Sequence, residues 1–287
     1  MIYICADDYG ISEISSARIR KCIEEGALNK VSIFPNFDSC EIEDITQNKN
    51  IYFSLHLNLV EGKCVSDRKK VRLLTDENGN FKYSFTGLLK LSLSKGKEFE
   101  NQVYAELKSQ ILKWKNTFNH NSFFLIDSHQ HTHMIPAVFR ALVRVVEDEN
   151  INLKYLRIPS EPLMPYIKTP SLYFTYSPVN LIKQWLLKFL WIFSKKTLKK
   201  HNIPTAYFFG ILFSGKMDMK RVEKILPKYI SLAKKKNKDI EVLFHPGYIS
   251  EQEADFNEDN IPFKKFYFSK NRKTEFDAVM NMSFEYE

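Results

Sequence analysis

Short apolar runs alternate with amphipathic segments along almost the whole chain. The runs have the length of buried strands, and the segments between them repeat apolar residues at helical spacing. This order is typical of βα units that build a largely parallel sheet. We expect strands at residues 2–5, 31–34, 51–59, 123–126, 153–158, 206–212 and 240–244.

The segments between these strands carry helix signals. Ser12 can cap a helix that ends near Gly26, and Pro136 can open another. Residues 98–118 and 218–235 also read as helices. Seven βα units exceed the needs of an open five-stranded sheet and approach a barrel. No repeat or low-complexity linker interrupts them, so we expect one α/β domain over residues 1–287.

Polar residues with catalytic chemistry follow several of the predicted strands. Asp7 and Asp8 come after the first strand, His56 lies near the end of the third, His129 follows the fourth and His245 the last. In parallel α/β folds the carboxyl ends of the strands share one edge, where active sites lie. We therefore expect these side chains at one opening.

Two adjacent carboxylates after an apolar strand are costly without a cation or a hydrogen-bond network. Asp7 and Asp8 would face opposite ways on a regular strand, but Gly10 suggests that the chain is already turning there. One carboxylate could then bind a metal ion while the other takes a proton from water. The alternative is an Asx turn and a helix cap without chemistry.

Three histidines alternate with other residues in the segment 127–133. On a strand, His129, His131 and His133 would project to one side. Two imidazoles and one carboxylate suffice for a catalytic divalent ion with open positions. The remaining histidines could contact substrate or orient ligands. Taken singly, His56 could also be a hydrogen-bonded core residue, and His245 merely a strand end.

The composition indicates which partners and which cellular compartment to expect. The net charge of +8 comes from many lysines, concentrated at residues 183–200 and 234–238. Such an excess could favour nucleic acid or anionic lipid, but no nucleic-acid-binding motif accompanies it, so we expect solubilising lysines and no nucleic acid. The four cysteines show no metal or disulfide spacing, and no signal peptide precedes the first strand, which together predict a cytoplasmic protein.

Four motifs in this order resemble the YdjC/ChbG-like carbohydrate deacetylases: residues 6–10 (ADDYG), 56–58 (HLN), 127–133 (DSHQHTH) and 245–247 (HPG). The resemblance implies an irregular seven-stranded (β/α) barrel of the polysaccharide-deacetylase type, acting on N-acetylated sugars with one divalent metal ion. By position it makes Asp8, His56 and His129 the metal ligands, Asp7 the general base and His245 an acid.

The same resemblance extends to residues 267–275, with Ser269, Arg272 and Glu275. We expect substrate contacts from His131, His133, Asn58 and Arg272. The chain departs from the family pattern at Cys5, Gln130 and Thr132, and none of these departures removes a proposed ligand. The family is commonly assigned magnesium, whereas two imidazoles favour zinc or another transition ion.

Residues 161–202 form an apolar, lysine-flanked insertion that is longer than in the chitooligosaccharide-type members. The apolar run 181–193 is too short and too charged to span a bilayer. Its tryptophans, aliphatic residues and flanking lysines suit a helix lying on a membrane, where it could meet a lipid-linked sugar. They equally suit a helix packed over the barrel or in a homodimer.

These observations predict a metal-dependent N-deacetylase of an acetamido sugar. The rival enzyme is another metal hydrolase such as a phosphoesterase, for which a second metal and more acidic ligands are expected. The non-enzymatic rival is a glycan-binding protein with a vestigial site. Release of acetate separates the deacetylase from both.

Overall fold

The structure, a computed structural model, describes residues 1–37, 45, 50–118, 123–253 and 265–282. Seven strands lie within these residues, each close to a predicted apolar run. They are β1 (Ile2–Tyr9), β2 (Lys30–Ile33), β3 (Tyr52–Leu57), β4 (Phe124–Ser128), β5 (Leu153–Leu156), β6 (Tyr207–Phe209) and β7 (Ile240–Phe244).

The strands form one curled, parallel sheet with the order β5-β4-β3-β2-β1-β7-β6. Its edge strands β5 and β6 share no ladder, although Leu156 N donates to the carbonyl of Pro204, just before β6, at 3.0 Å. The predicted α/β architecture, an irregular seven-stranded barrel, is confirmed. Its interior is unusually polar, because Lys30, Asp127 and Glu241 are fully buried.

Helices follow most of the strands and cover the apolar side of the sheet. They are α1 (Glu13–Glu24), α2 (Phe85–Thr117), α3 (Pro136–Asp148), α4 (Met164–Ile167), α5 (Pro178–Lys200), α6 (Met219–Lys236) and α7 (Lys270–Asn281). Ser12 accepts a hydrogen bond from Ser15 N and caps α1, and Pro136 opens α3, as predicted. No helix in the described part of the chain has both the length and the apolar character needed to cross a membrane.

The first strand runs further than its apolar run predicts. β1 continues to Tyr9, and its pairing with β2 shifts register between Ala6 and Tyr9. Asp8 lies in this irregular stretch with a φ of 71°, which is uncommon for a non-glycine residue. Because the backbone turns here, Asp7 and Asp8 face the same cavity. The prediction that the chain is turning before Gly10 is confirmed.

The strand predicted to hold the three histidines ends before them. Residues His129–Met134 form a 3-10 turn in which Gln130 and His131 have φ of 50° and 58°. The alternation expected of a strand is therefore wrong, and the three imidazoles do not project to one side. Only His129 and His131 reach the cavity described below, whereas His133 is completely buried.

Candidate metal centre and active site

One cavity of about 640 Å³ opens at the carboxyl ends of the strands. All five residues that the motifs assign to metal binding and catalysis line it: Asp7, Asp8, His56, His129 and His245. The expectation that the polar strand ends meet at one opening is confirmed. The cavity has the volume of a small-ligand site.

Asp8 has each of its carboxylate oxygens directed to a different partner. Oδ2 accepts a hydrogen bond from Arg272 Nη2 at 2.6 Å, while Oδ1 lies 3.0 Å from His129 Nδ1 and 3.5 Å from His56 Nε2. Burial alone would raise the pKa of Asp8, but these imidazoles and the guanidinium hold it well below its usual range. Asp8 is therefore an ionised carboxylate with one oxygen aimed at two histidines.

His56 is oriented from behind by Asp127. Nδ1 donates to Asp127 Oδ1 at 2.6 Å, so Nε2 is the nitrogen that faces Asp8. Asp127 in turn accepts hydrogen bonds from Ser32 and Ser54 and pairs with Lys30. A carboxylate that fixes the tautomer and angle of an imidazole is a common arrangement behind metal-binding histidines.

His129 lies between two carboxylates, those of Asp8 and Glu61. Its Nδ1 contacts Asp8, and its Nε2 lies 3.4 Å from Glu61 Oε1 without forming a hydrogen bond. Glu61 also lines the cavity, on the loop after β3. This loop is shaped by Asn58, whose amide oxygen accepts hydrogen bonds from the N–H groups of Val60 and Glu61.

The residues around Asp8 fit a divalent cation. One ligand atom each from Asp8, His56 and His129 lie within 4.8 Å of one another, and Nε2 of both histidines is buried without a hydrogen-bond partner. Burial lowers the pKa of both imidazoles, but Asp7 and Asp127 raise that of His56 to about 9, and Glu61 and Asp8 raise that of His129 to about 10. The site thus favours positive charge, and a metal ion can replace the two protons.

A second group of possible ligands, Asp7, His56 and Asp127, fits a metal less well. The guanidinium of Arg157 lies 3.2 Å from Asp127 and donates to both oxygens of Asp7, at 2.6 and 2.8 Å. Lys30 adds a further buried cation beside Asp127. These cations already balance both carboxylates, which leaves the group with Asp8 as the better site.

Asp7 and His245 lie in the cavity beside the candidate metal ligands. Asp7 Oδ2 is 4.0 Å from His56 Nε2. His245 comes at the end of β7, where its ring contacts Phe266 and its Nδ1 lies 3.4 Å from Glu275 Oε2. The same oxygen of Glu275 accepts a hydrogen bond from His245 N at 2.6 Å. Glu275 therefore fixes both the backbone and the ring of His245.

His131 and His133 have different surroundings. His131 lines the cavity beside Phe208, and its Nδ1 has no hydrogen-bond partner. Burial and the nearby cations Lys183 and Arg157 hold the pKa of His131 well below its usual range, so the ring is neutral. His133 instead bonds to Ser128 Oγ and donates to the carbonyl of Arg157 at 2.7 Å.

Three of the residues predicted to contact substrate lie elsewhere. Among the described residues that line the cavity, His133, Asn58 and Arg272 are absent. Both nitrogens of His133 are engaged, Asn58 shapes the loop before Glu61, and Arg272 donates to Asp8 and to the carbonyl of Gly247. Their polar groups are used to position other residues, and their contact with substrate stays a prediction.

Sequence reasoning missed several residues of the site. Arg157 lies at the end of an apolar run and is fully buried, and Glu61 and Lys183 both line the cavity. Glu61 follows the HLN motif by three residues, a weak signal that was available. Arg157 lies 150 residues from Asp7 along the chain, and no local spacing connects the two.

The fold and site define a parallel α/β protein whose sheet carries at its carboxyl edge an Asp-His-His group able to hold a metal ion, a second Asp and a His beside a carboxylate. The family model for YdjC-like proteins matches residues 1–286. The chain belongs to the YdjC-like family.

Curated relatives include proteins named carbohydrate deacetylase. One from Danio rerio is 30% identical over 164 residues, which are 56% of this chain and 50% of the relative. One from Clostridium beijerinckii is 25% identical over 173 residues, 58% of this chain and 64% of the relative. The aligned region thus spans between half and two thirds of these relatives.

A solved structure from Enterococcus faecalis V583, described as a cellobiose-phosphate cleavage protein, shares the fold. It superposes with a TM-score of 0.60 at 16% identity, covering 97% of this chain and 94% of the other. At this identity the likeness bears on architecture alone.

Proposed function

We propose that this protein is a metal-dependent hydrolase that removes the N-acetyl group from an acetamido sugar and releases acetate. The observation that carries the proposal is the convergence of Asp8, His56 and His129 with Asp7 and His245 in one cavity. Amide hydrolysis needs an activated water, a polarised carbonyl and a proton for the departing amine. This set of residues can meet all three needs.

Asp8, His56 and His129 would hold the ion. A divalent ion there supplies Lewis acidity at the acetyl carbonyl and lowers the pKa of a bound water to about 7. The two imidazoles favour zinc or another transition ion, whereas the family resemblance favours magnesium. Arg272 and Asp127 orient Asp8 and His56 from outside the cavity.

The proton transfers fall to Asp7 and His245. Asp7, held at both oxygens by Arg157, accepts the proton of the attacking water. His245, held by Glu275, donates a proton to the departing amine. His131 presents a neutral ring with a free Nδ1 to the cavity, and we propose that it hydrogen-bonds the substrate.

A phosphoesterase is the weaker alternative. Its usual two-metal site would require the group of Asp7, His56 and Asp127 to bind a second ion. Arg157 and Lys30 already occupy the positions next to those carboxylates. The geometry therefore favours one metal ion, which argues against a two-metal phosphoesterase.

We also propose that residues 1–287 form one domain in the cytoplasm, with residues 161–202 as an insertion. Cys5, Cys22 and Cys64 are free thiols, and no disulfide occurs in the part of the chain that the structure describes. A reducing compartment accounts for buried thiols that remain unpaired.

Acetate release from a panel of N-acetylated mono- and oligosaccharides, with metal content measured on the same preparation, tests the proposed function. We expect acetate from at least one sugar, and none from the His129→Ala protein, which should also lack metal. A metal-loaded wild type that releases phosphate from p-nitrophenyl phosphate but no acetate from any sugar would establish the rival activity instead.

A further inference from the structure

Helix α5 is buried on one side and exposes apolar residues on the opposite side. Leu187, Leu190 and Ser194 are buried on the side that packs towards α3. The opposite side exposes apolar residues at spacings of three and four, which form one continuous stripe on a helix. We call it the exposed stripe of α5; its members are Ile182, Trp185, Phe189 and Ile192, between 56% and 69% exposed.

The two tryptophans of the insertion lie on different sides of the helix. Trp191 packs against the core, whereas Trp185 is 59% exposed. Packing over the barrel therefore explains only one side of the helix. The exposed stripe needs a different explanation, because large contiguous apolar surfaces usually mark interaction sites.

The exposed stripe begins at the mouth of the catalytic cavity. Val179 and Ile182 line the cavity and are each 69% exposed, and Leu186 lines it one turn further along the helix. Phe85, from the first turn of α2, lines the same cavity. An apolar path therefore leads from the cavity that holds Asp8 and His129 to the outer face of α5. A lipid chain attached to a substrate would suit the full length of this path.

The charges of α5 favour an anionic partner. Every charged side chain in the helix is a lysine: Lys183, Lys188, Lys195, Lys196, Lys199 and Lys200. Lys188, Lys195 and Lys199 follow one flank of the helix at spacings of seven and four, and Lys188 Nζ lies 5.8 Å from the Trp185 ring centre. Tryptophan beside lysine is characteristic of helices at the surface of anionic membranes. A second copy of this face would bring lysines against lysines.

We infer that the exposed stripe of α5 docks on an anionic membrane surface, and that the substrate is an acetamido sugar carried on a lipid that enters the cavity past Val179 and Ile182. The identity of the substrate rests on the proposed deacetylase function. The docking itself does not, because it depends only on the outer face of the helix.

Co-sedimentation with vesicles of phosphatidylcholine and phosphatidylglycerol tests the docking. The wild type should bind, and binding should weaken with added salt and in vesicles of phosphatidylcholine alone. Trp185→Ala/Phe189→Ala should lower the partition coefficient by roughly tenfold or more, since both residues contribute apolar contact with the bilayer. Neither residue lines the cavity, so hydrolysis of a soluble sugar should be unchanged.

Two control variants distinguish docking by α5 from non-specific binding to vesicles. Leu93→Ala removes an apolar side chain that is 81% exposed on α2. Lys234→Gln/Lys235→Gln/Lys236→Gln removes three lysines from the last turn of α6, for comparison with Lys195→Gln/Lys196→Gln/Lys199→Gln on α5. Only the α5 variants should lose binding. Equal losses of binding in the control variants would overturn the docking. So would a wild type that does not bind vesicles and buries Trp185 in a dimer.

The lipid-linked substrate has its own test. Acetate release from dodecyl N-acetylglucosaminide in these vesicles should exceed release from free N-acetylglucosamine, and Trp185→Ala/Phe189→Ala should remove the difference. Vesicle binding without such a preference would refute the lipid-linked substrate. Absence of acetate from every sugar would count against the deacetylase function while leaving the docking measurement valid.

Discussion

The guanidinium of Arg157 donates hydrogen bonds to both oxygens of Asp7, at 2.6 and 2.8 Å. Its Nη2 also lies 2.6 Å from Glu241 Oε1 and 3.2 Å from Asp127 Oδ2. Asp127 is the partner of His56, so one buried cation links the proposed base to the support of a proposed metal ligand. The proposed base and the proposed metal ligand therefore depend on the same buried arginine.

Arg157→Lys should lower kcat by about 100-fold, because a single ammonium cannot hold both oxygens of Asp7 and small misplacements of a catalytic group are costly. KM should change little, since Arg157 is fully buried. Steady-state kinetics with acetate detection measures the effect. Arg157→Met should instead cost about 3–5 kcal/mol of stability, because it leaves the buried carboxylate of Asp7 without its cation, while Asp127 and Glu241 keep Lys30. A kcat for Arg157→Lys equal to that of the wild type would show that the position of Asp7 is not critical.

Substitutions of the two adjacent carboxylates, Asp7 and Asp8, should have different effects on metal binding and turnover. Asp7→Asn should keep the metal and lose most turnover, because it removes the proton acceptor while leaving Asp8, His56 and His129 intact. Asp8→Asn should lose the metal, since it removes the charged oxygen that faces both imidazoles. Metal analysis after dialysis, combined with acetate release, distinguishes the two. Wild-type acetate release by Asp7→Asn would mean that another group is the base.

Glu275 is expected to act through His245. Glu275→Gln should lower kcat by roughly tenfold or more, because the neutral amide no longer supports positive charge on the imidazole. KM should change little, and a purely structural defect would not produce this split between kcat and KM. Asp277→Asn makes the same chemical change on the exposed side of α7 and serves as the control. A kcat for Glu275→Gln equal to that of the wild type would contradict this role.

The strands and the shared opening could be predicted because they follow from local patterns. Apolar runs mark buried strands, and parallel strands end at one edge, so Asp8, His56 and His129 come together without further information. The directions of the three histidine side chains after β4 could not be predicted in this way. Left-handed backbone at Gln130 and His131 turns the chain after β4, and such conformations in non-glycine residues leave little trace in the sequence.

The charged residues that support the site could not be predicted from the sequence for a different reason. Arg157, Lys30 and Glu241 are charged residues within or beside apolar strands, where sequence reasoning places exposed edges. They are buried because they neutralise one another across the barrel interior, through contacts that join β1, β2, β4 and β7. Only tertiary contacts reveal a network of this kind.

His133 should make the protein less stable in mild acid. Burial lowers the pKa of His133 to about 4 from an ordinary 6.5, so the unfolded chain binds the extra proton as the pH falls from 6.5 to 4. Its contribution to the free energy of unfolding should drop by about 2 kcal/mol between pH 7 and pH 5. Urea unfolding at these two pH values, compared with His133→Gln, measures it. An equal drop in the variant would assign the acid sensitivity to other groups.

His56 and His129 should have the opposite pH dependence when no metal is bound. Their pKa values are raised to about 9 and about 10, so the stability they contribute is complete below pH 6.5 and is lost as the pH rises through those values. For His56 alone the loss between pH 7 and pH 9 should be about 2 kcal/mol. A saturating divalent ion should abolish this loss, because it binds the neutral imidazoles in place of the protons. Urea unfolding at pH 7 and pH 9, with EDTA or with metal, tests the prediction. The same alkaline loss in both conditions would show that the ion does not bind at these two histidines.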